Sequence, residues 1–107
     1  MRRAARRDAN HNEIAGTFES LGFVVTDLSG VGSGCPDLLI SSPNQHTLVE
    51  IKRADVAPSA SKLNDRQQEY REKCPGPYAV VRTIEDCIAL AKHIRRYNLR
   101  PFSGANT

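Results

Sequence analysis

The spacing of apolar and polar side chains along the first half of the chain predicts a helix followed by three strands. Apolar residues recur at helical spacing over residues 8–21, where Asp8 or Asn10 can cap the helix and Gly22 can end it. Three later segments are rich in apolar, β-branched or aromatic residues and are separated by turn residues. The strands predicted from them span residues 23–28, 38–41 and 47–53.

The second half of the chain predicts a helix, a strand and a final helix. Asn64 or Asp65 can cap a helix that runs to about Lys73, and the proline-containing segment after it ends the helix. Residues 78–82 are predicted as the fourth strand, and Thr83 as the cap of the last helix. The apolar stripe of that helix consists of Ile84, Cys87, Ile88, Ala91 and Ile94.

The predicted order of elements is α-β-β-β-α-β-α within 107 residues, which is the size of a single domain. A hairpin of strands followed by a helical crossover to another strand implies an α/β fold, with a mixed central sheet flanked by helices on both sides. The domain is expected to span residues 1–107, with a basic arm at 1–7 and a flexible tail at 98–107.

The chain lacks the sequence features of membrane and secreted proteins. No apolar run reaches the roughly 18 residues that a membrane span needs, and no apolar stretch follows the basic N-terminus as in a secretory signal. The three cysteines, Cys35, Cys74 and Cys87, form neither a Cys-x-x-Cys pair nor a zinc-binding pattern with the histidines. We therefore expect reduced thiols, a cytoplasmic location and no membrane partner.

Arginine is concentrated near the two ends of a chain whose net charge is +3. The first group consists of Arg2, Arg3, Arg6 and Arg7, and the second of Arg95, Arg96 and Arg100. A guanidinium group can donate two hydrogen bonds to one phosphate, so the N-terminal group is a candidate arm for binding a polyanion such as DNA. A solvated basic terminus without a partner is the alternative.

The third predicted strand carries the most unusual pattern in the chain. Alternation places Leu48, Glu50 and Lys52 on one face and Thr47, Val49 and Ile51 on the other. A strand inside a sheet that helices cover should be apolar on both faces. Burying a carboxylate and an ammonium is costly unless they pair or bind a ligand, so the charged face predicts a functional site.

The hairpin between the second and third strands brings a second carboxylate to this face. A four-residue turn over residues 42–45 sets the register so that Asp37 lies opposite Glu50. Two carboxylates so close repel each other unless a cation lies between them. Oxygen ligands without nearby cysteine or histidine favour Mg²⁺ or Mn²⁺, and the backbone carbonyl of Ile51 is a further candidate ligand.

The residues around this pair suit phosphate chemistry. Mg²⁺ can polarise a phosphate oxygen and activate a water, and Lys52 can position that water or stabilise the charge that develops on the phosphate. Gly32 and Gly34, in the loop before Asp37, allow a ligand to approach closely. Together these features predict phosphodiester hydrolysis. The alternative is an exposed ion pair between Glu50 and Lys52, with Asp37 capping the glycine loop.

Four segments in chain order resemble motifs of the VRR-NUC family, which is part of the Pro-Asp…(Asp/Glu)-x-Lys nuclease superfamily. They are Val-Gly-Ser-Gly-Cys-Pro-Asp-Leu-Leu at 31–39, Leu-Val-Glu-Ile-Lys at 48–52, Leu-Asn-Asp-Arg-Gln-Gln-Glu at 63–69 and Tyr-Ala-Val-Val-Arg at 78–82. The resemblance covers about residues 8–92. The third motif departs from the family, because Asn-Asp replaces the usual Thr-Pro, although both pairs can begin a helix.

The resemblance implies a restriction-endonuclease-like αβββαβα core and a set of site residues. Asp37 and Glu50 would bind the metal, and Lys52 would be catalytic. Gln67 matches a helix glutamine near the family's active site, and Glu13 matches an acidic position on the first helix that can reach the metal or its waters. The alternatives from the residues alone are a surface amide for Gln67 and a solvated carboxylate for Glu13.

The resemblance also implies a substrate and an assembly. Small stand-alone members of the family, found in phages and bacteria, act as homodimers on branched DNA such as Holliday junctions. For this chain it implies a bacterial or phage-infected cytoplasm. DNA contacts are expected at the arm, at Gly32 and Gly34, and at Arg82. A structural ion pair is the alternative for Arg82. The alternative functions are a less selective nicking or flap nuclease and a non-catalytic nucleic-acid-binding protein.

Overall fold

The computed structural model describes residues 10–43 and 45–97. The arginine arm at 1–7, the proposed Asp8 cap and the tail at 98–107 lie outside the described residues. The helices and strands follow the predicted order: α1 (His11–Ser20), β1 (Val24–Asp27), β2 (Leu38–Ser42), β3 (Gln45–Ile51), α2 (Asp65–Lys73), β4 (Tyr78–Val81) and α3 (Ile84–Tyr97). A short 3-10 helix, Pro58–Ala60, lies between β3 and α2. No helix in the described ranges is long and apolar enough to cross a membrane.

The four strands form one mixed sheet in the order β1-β2-β3-β4, which confirms the predicted α/β class. The first three strands are antiparallel, whereas β4 runs parallel to β3 after the crossover through α2. The predicted hairpin register is confirmed, since Ser42 faces Gln45 and Leu39 faces Leu48. The observed β1 (Val24–Asp27) is shorter than the strand predicted over 23–28, and β3 is shifted two residues toward the turn, since it spans Gln45–Ile51 instead of 47–53.

One face of the sheet packs against α1 and α3 and forms the hydrophobic core. The largest fully buried side chains are Phe18, Ile14, Leu38, Ile40, Ile51, Ile94, Val49, Val81, Pro36 and Cys87. Phe18 and Phe23 meet edge to face, with ring centroids 5.8 Å apart. Burial raises the pKa of Cys87 to about 12, so this thiol is an apolar core residue rather than a reactive group.

The apolar stripe of α3 is narrower than predicted. Cys87, Ala91 and Ile94 are buried in the core, whereas Ile84 and Ile88 are 36% and 39% exposed. The two exposed side chains lie to one side of the three buried residues on the helix surface, and α1 and β4 pack against the buried side. The predicted stripe is thus confirmed for Cys87, Ala91 and Ile94, whereas Ile84 and Ile88 lie at its partly exposed border.

Asn10 precedes α1 but does not cap it, contrary to the prediction. Its side chain makes no capping hydrogen bond. Instead, Nδ2 donates to the carbonyl of Lys52 at 3.2 Å and to the carbonyl of Arg82 at 2.8 Å. Its Oδ1 is buried and has no hydrogen-bond partner within the described residues. Asn10 thus ties the ends of β3 and β4 together and holds the start of α1 against them.

Replacing Asn10 by aspartate should destabilise the protein by about 1–3 kcal/mol, because a carboxylate cannot donate to the two carbonyl groups. A capping role predicts unchanged stability instead, since aspartate and asparagine are equally good helix caps. Urea denaturation of the wild type, Asn10→Asp and Asn10→Ser measures the difference. An aspartate variant as stable as the wild type would restore the capping role.

Candidate functional site

The predicted carboxylates meet at the edge of the sheet where β2 begins and where β3 and β4 end. Leu38 pairs with Val49, so the next position in the same register sets Asp37 beside Glu50. Leu38 and Val49 face the core, and alternation therefore turns Asp37 and Glu50 to the opposite face. Asp37 Oδ2 accepts a hydrogen bond from the backbone N–H of Ile51 at 2.8 Å, which fixes the carboxylate at this edge.

Glu50, Lys52 and Gln67 form one hydrogen-bonded group. Glu50 is 4% exposed, and its Oε2 accepts from Nε2 of Gln67 at 2.9 Å. Lys52 Nζ donates to Oε1 of Gln67 at 2.8 Å and lies 3.8 Å from Oε2 of Glu50. The Gln67 amide thus bridges a carboxylate and an ammonium, each of which would be costly to bury alone. The structure therefore places Gln67 in the site rather than on an open helix surface.

Gln67 is held in this position by the start of α2. Its backbone N–H donates to Oδ1 of Asn64, and the Asn64 N–H donates to Oε1 of Gln67, both at 2.9 Å. This reciprocal capping box satisfies backbone donors that a helix start otherwise leaves unpaired. The predicted Asn64 cap is confirmed, and its partner Gln67 serves the helix end and the site with one side chain.

The loop that contains Gly32 and Gly34, here called the glycine loop, packs closely against the backbone of α2. Gly34 has φ +83°, and a Cβ at this position would lie 2.4 Å from the carbonyl oxygen of Arg66. Gly32 also has a positive φ of +77°, but a Cβ there would meet no atom within 4 Å. One residue after Gly34, the Cys35 thiol contacts the hydroxyl of Tyr70 at 3.9 Å. The close approach at Gly34 is thus made by a helix of the same chain, and open space remains at Gly32.

Tyr78 and Cys35 border the carboxylates, although neither is predicted as a site residue from the sequence. Burial, followed by the charge of Glu50, raises the pKa of Tyr78 to about 12. Burial also raises the pKa of Cys35, and the charges of Glu50 and Asp37 raise it further. Tyr78 lies on the same face of the sheet as Glu50, but this follows from alternation along β4 only when the register between β3 and β4 is known. The sequence alone carries no signal for that register.

The donor atoms at this edge fit Mg²⁺ or Mn²⁺. They are carboxylate oxygens of Asp37 and Glu50 and the Ile51 carbonyl, which is expected to share the side of β3 from which the Ile51 N–H meets Asp37. Within residues 10–43 and 45–97, no three His, Cys, Asp or Glu side chains gather as a metal cluster. Mg²⁺ nevertheless keeps several waters and needs only one or two carboxylates. The Tyr78 hydroxyl, buried without a hydrogen bond in the described part of the chain, adds an unsatisfied polar atom beside these donors.

The structure does not gather Glu13 with Asp37 and Glu50. Glu13 is an exposed residue of α1, its backbone carbonyl accepts from the Thr17 hydroxyl, and its charge acts on Cys87 in the core. Cys87 and the two site carboxylates lie on opposite faces of the sheet. The predicted role of Glu13 at the metal therefore gains no support from these contacts.

Within the described residues Arg82 forms no ion pair, and its guanidinium group binds Ser61 instead. Its Nε donates to Oγ of Ser61 at 3.2 Å, and its Nη2 donates to the Ser61 carbonyl at 3.1 Å. Asp86 accepts from the backbone N–H of Arg82 at 2.8 Å, rather than from its guanidinium group. Arg82 thus anchors the connection between β3 and α2 to the end of β4.

Two acidic groups, one ammonium and one amide therefore meet at the strand ends, beside the first turn of α2. Their arrangement combines oxygen donors for a hard cation with a lysine fixed beside them. No protein-family model matches this chain, and no curated protein or solved structure matches it either.

Proposed function

We propose that this protein is a metal-dependent, structure-selective DNA endonuclease of the VRR-NUC type, with a restriction-endonuclease-like core. The observation that carries the proposal is the group formed by Asp37, Glu50, Lys52 and Gln67 on one face of the sheet. A purely structural ion pair would need only Glu50 and Lys52, and in an exposed position it would avoid the cost of desolvating both charges. Here Glu50 is buried, and a second carboxylate adjoins it.

The division of roles follows from the contacts. Mg²⁺ or Mn²⁺, held by Asp37, Glu50 and the Ile51 carbonyl, would supply charge stabilisation at the phosphate and activation of water. Lys52 has three N–H donors, of which Gln67 accepts one and Glu50 can accept another. The remaining donor can bind a phosphate oxygen or orient the attacking water.

Gln67 keeps the lysine in place and keeps its charge in the site. Its Oε1 accepts from Lys52 while its Nε2 donates to Glu50, so one side chain fixes the separation of the two charged groups. Catalytic groups that are held before the substrate arrives need little reorganisation during the reaction. Gln67 is thus a positioning residue, since it acts through Lys52 and Glu50.

The proposed substrate is branched DNA, and the proposed assembly is a homodimer. One domain offers one such site, and two symmetric cuts require two sites related by a two-fold axis. A domain of this size has little surface for reading base edges, so selectivity would rest on phosphate positions and on DNA shape. The arginine arm at residues 2–7 is the proposed source of further phosphate contacts.

The test is cleavage of a labelled four-way junction and of a matched linear duplex, with Mg²⁺ or with EDTA. We expect paired, symmetric cuts in the junction that require the metal and that Asp37→Asn abolishes. Asp55→Asn is the matched control, because Asp55 is exposed and its partner among the described residues is Arg53, in a surface ion pair of little energetic value.

Two other outcomes of the cleavage assay would change the proposed function. Metal-dependent cutting of nicked, flapped or linear DNA, without preference for the junction, would keep the nuclease and discard the selectivity. No cleavage of branched or linear DNA by a folded protein that binds both would favour the non-catalytic nucleic-acid-binding function.

A further inference from the structure

Most of the basic groups close to the site already have partners. Lys52 donates to Gln67, and Arg82 donates to Ser61. Arg71, in the last turn of α2, differs from both: it is exposed and forms no ion pair within the described residues. Its guanidinium carbon lies over the ring of Tyr78, 4.9 Å from the ring centroid.

The ring of Tyr78 connects Arg71 to the carboxylates. In the parallel pairing of β3 with β4, Leu48 faces Tyr78 and Glu50 faces Val80, so Tyr78 and Glu50 share a face two positions apart. The negative charges of Glu50 and Asp37 act on the Tyr78 hydroxyl, as does the positive charge of Arg71. Arg71 therefore lies at the border of the site, on the side of β4.

The contact with the Tyr78 ring leaves N–H donors of the Arg71 guanidinium group available. A guanidinium group carries five N–H donors, and the attraction of its charge to a ring does not need all of them. The ring thus limits the orientations that Arg71 can adopt and does not consume its donors. A phosphate oxygen pair fits the planar fork that these donors form.

We propose that Arg71 binds a phosphate of the DNA backbone beside the one that is cleaved, with Tyr78 as the platform that orients it. This inference rests on the proposed nuclease function, because it assigns the polyanion of that function to Arg71. The two site carboxylates repel a DNA backbone, and a fixed positive charge at their border offsets this repulsion. The alternative role of Arg71 is structural, as a contact that fastens α2 to β4.

The salt dependence of DNA binding separates the two roles. Fluorescence anisotropy in EDTA, which prevents cleavage, gives the dissociation constant for a labelled junction over a range of KCl concentrations. Loss of one phosphate contact should reduce the slope of log affinity against log salt by about 0.9. For Arg71→Ala we expect this change and a roughly tenfold weaker affinity, as for the loss of a charged hydrogen bond.

Two variants serve as controls. Lys73→Ala removes the same charge from the same helix end, but a side chain two residues further along a helix points to nearly the opposite side, so the slope should stay at the wild-type value. Arg71→Lys keeps the charge and should keep the slope, with weaker affinity because the planar fork is lost. Thermal melting of each variant confirms that it is folded.

An unchanged slope in Arg71→Ala would overturn the proposal, and so would an equal change in Lys73→Ala. Lower thermal stability with an unchanged slope would assign Arg71 the structural role instead. Cleavage by the wild type is scored separately in Mg²⁺. Cleavage with an unchanged Arg71→Ala slope removes this inference alone, whereas a changed slope without cleavage removes the nuclease proposal and keeps the phosphate contact.

Discussion

Replacing Lys52 by alanine should lower the single-turnover rate of DNA cleavage by about 10²- to 10³-fold, the usual effect of losing one donor that stabilises transition-state charge. The Lys52 side chain is only 15% exposed, and Gln67 fixes its ammonium group 3.8 Å from Glu50. A water molecule that replaces the side chain could occupy the space but would carry no positive charge. The rate is measured with saturating junction DNA and Mg²⁺, so that weaker binding does not enter.

Lys62→Ala is the matched control, because Lys62 is an exposed lysine of the connection between β3 and α2. Its rate should stay at the wild-type value. The alternative role of Lys52 is to neutralise the buried Glu50, and this role predicts a less stable protein that cleaves normally when folded. A Lys52→Ala variant with lower thermal stability and an undiminished rate would therefore contradict catalysis by Lys52.

Gly34→Ala should both destabilise the protein and reduce cleavage about 100-fold. The left-handed backbone at φ +83° alone costs a residue with a Cβ about 1–2 kcal/mol. The new Cβ would also lie 2.4 Å from the carbonyl oxygen of Arg66, which is backbone and cannot rotate away. The first turn of α2 must then move, and Gln67 moves with it. A displacement of about 1 Å in a positioned group can cost 10²-fold in rate.

Gly32→Ala separates the two effects of the Gly34 substitution. Gly32 has a similar φ of +77°, but its Cβ would meet nothing within 4 Å, so only the backbone strain remains. Chemical denaturation and single-turnover cleavage are measured for both variants. We expect Gly34→Ala to lose more stability and more activity than Gly32→Ala. Equal losses of stability and activity in the two variants would mean that the contact between the glycine loop and α2 contributes to neither.

The part of the site that the sequence predicts is the part that local rules determine. A tight turn sets the register of the β2–β3 hairpin, and alternation along β3 then gives the faces, so the proximity of Asp37 and Glu50 can be read from spacing. The Asn64 cap of α2 is equally local, because it depends on residues three positions apart. Element order follows from the same patterns.

The remaining features depend on tertiary packing, which no local pattern contains. Asn10 has the sequence context of a helix cap, but its amide group donates to carbonyl groups at the ends of β3 and β4 instead of capping α1. A glycine at position 34 indicates an unusual backbone conformation or a close contact, but the sequence does not show that the close contact is with the backbone of α2. The contact between Arg71 and Tyr78 joins a helix to a strand whose relative placement follows only from the assembled sheet.

The second helix buries none of its side chains, which has a consequence for the energetics of the whole site. Its contacts with the rest of the chain include the backbone approach at Gly34, the amide group of Gln67 and the side chains of Tyr70 and Arg71, without the apolar burial that anchors α1 and α3. Such an element opens at a free energy well below that of global unfolding. Any ligand that requires the closed arrangement binds with an apparent affinity reduced by the closed fraction. We therefore expect binding of the proposed substrate and closure of α2 over the site to be thermodynamically coupled.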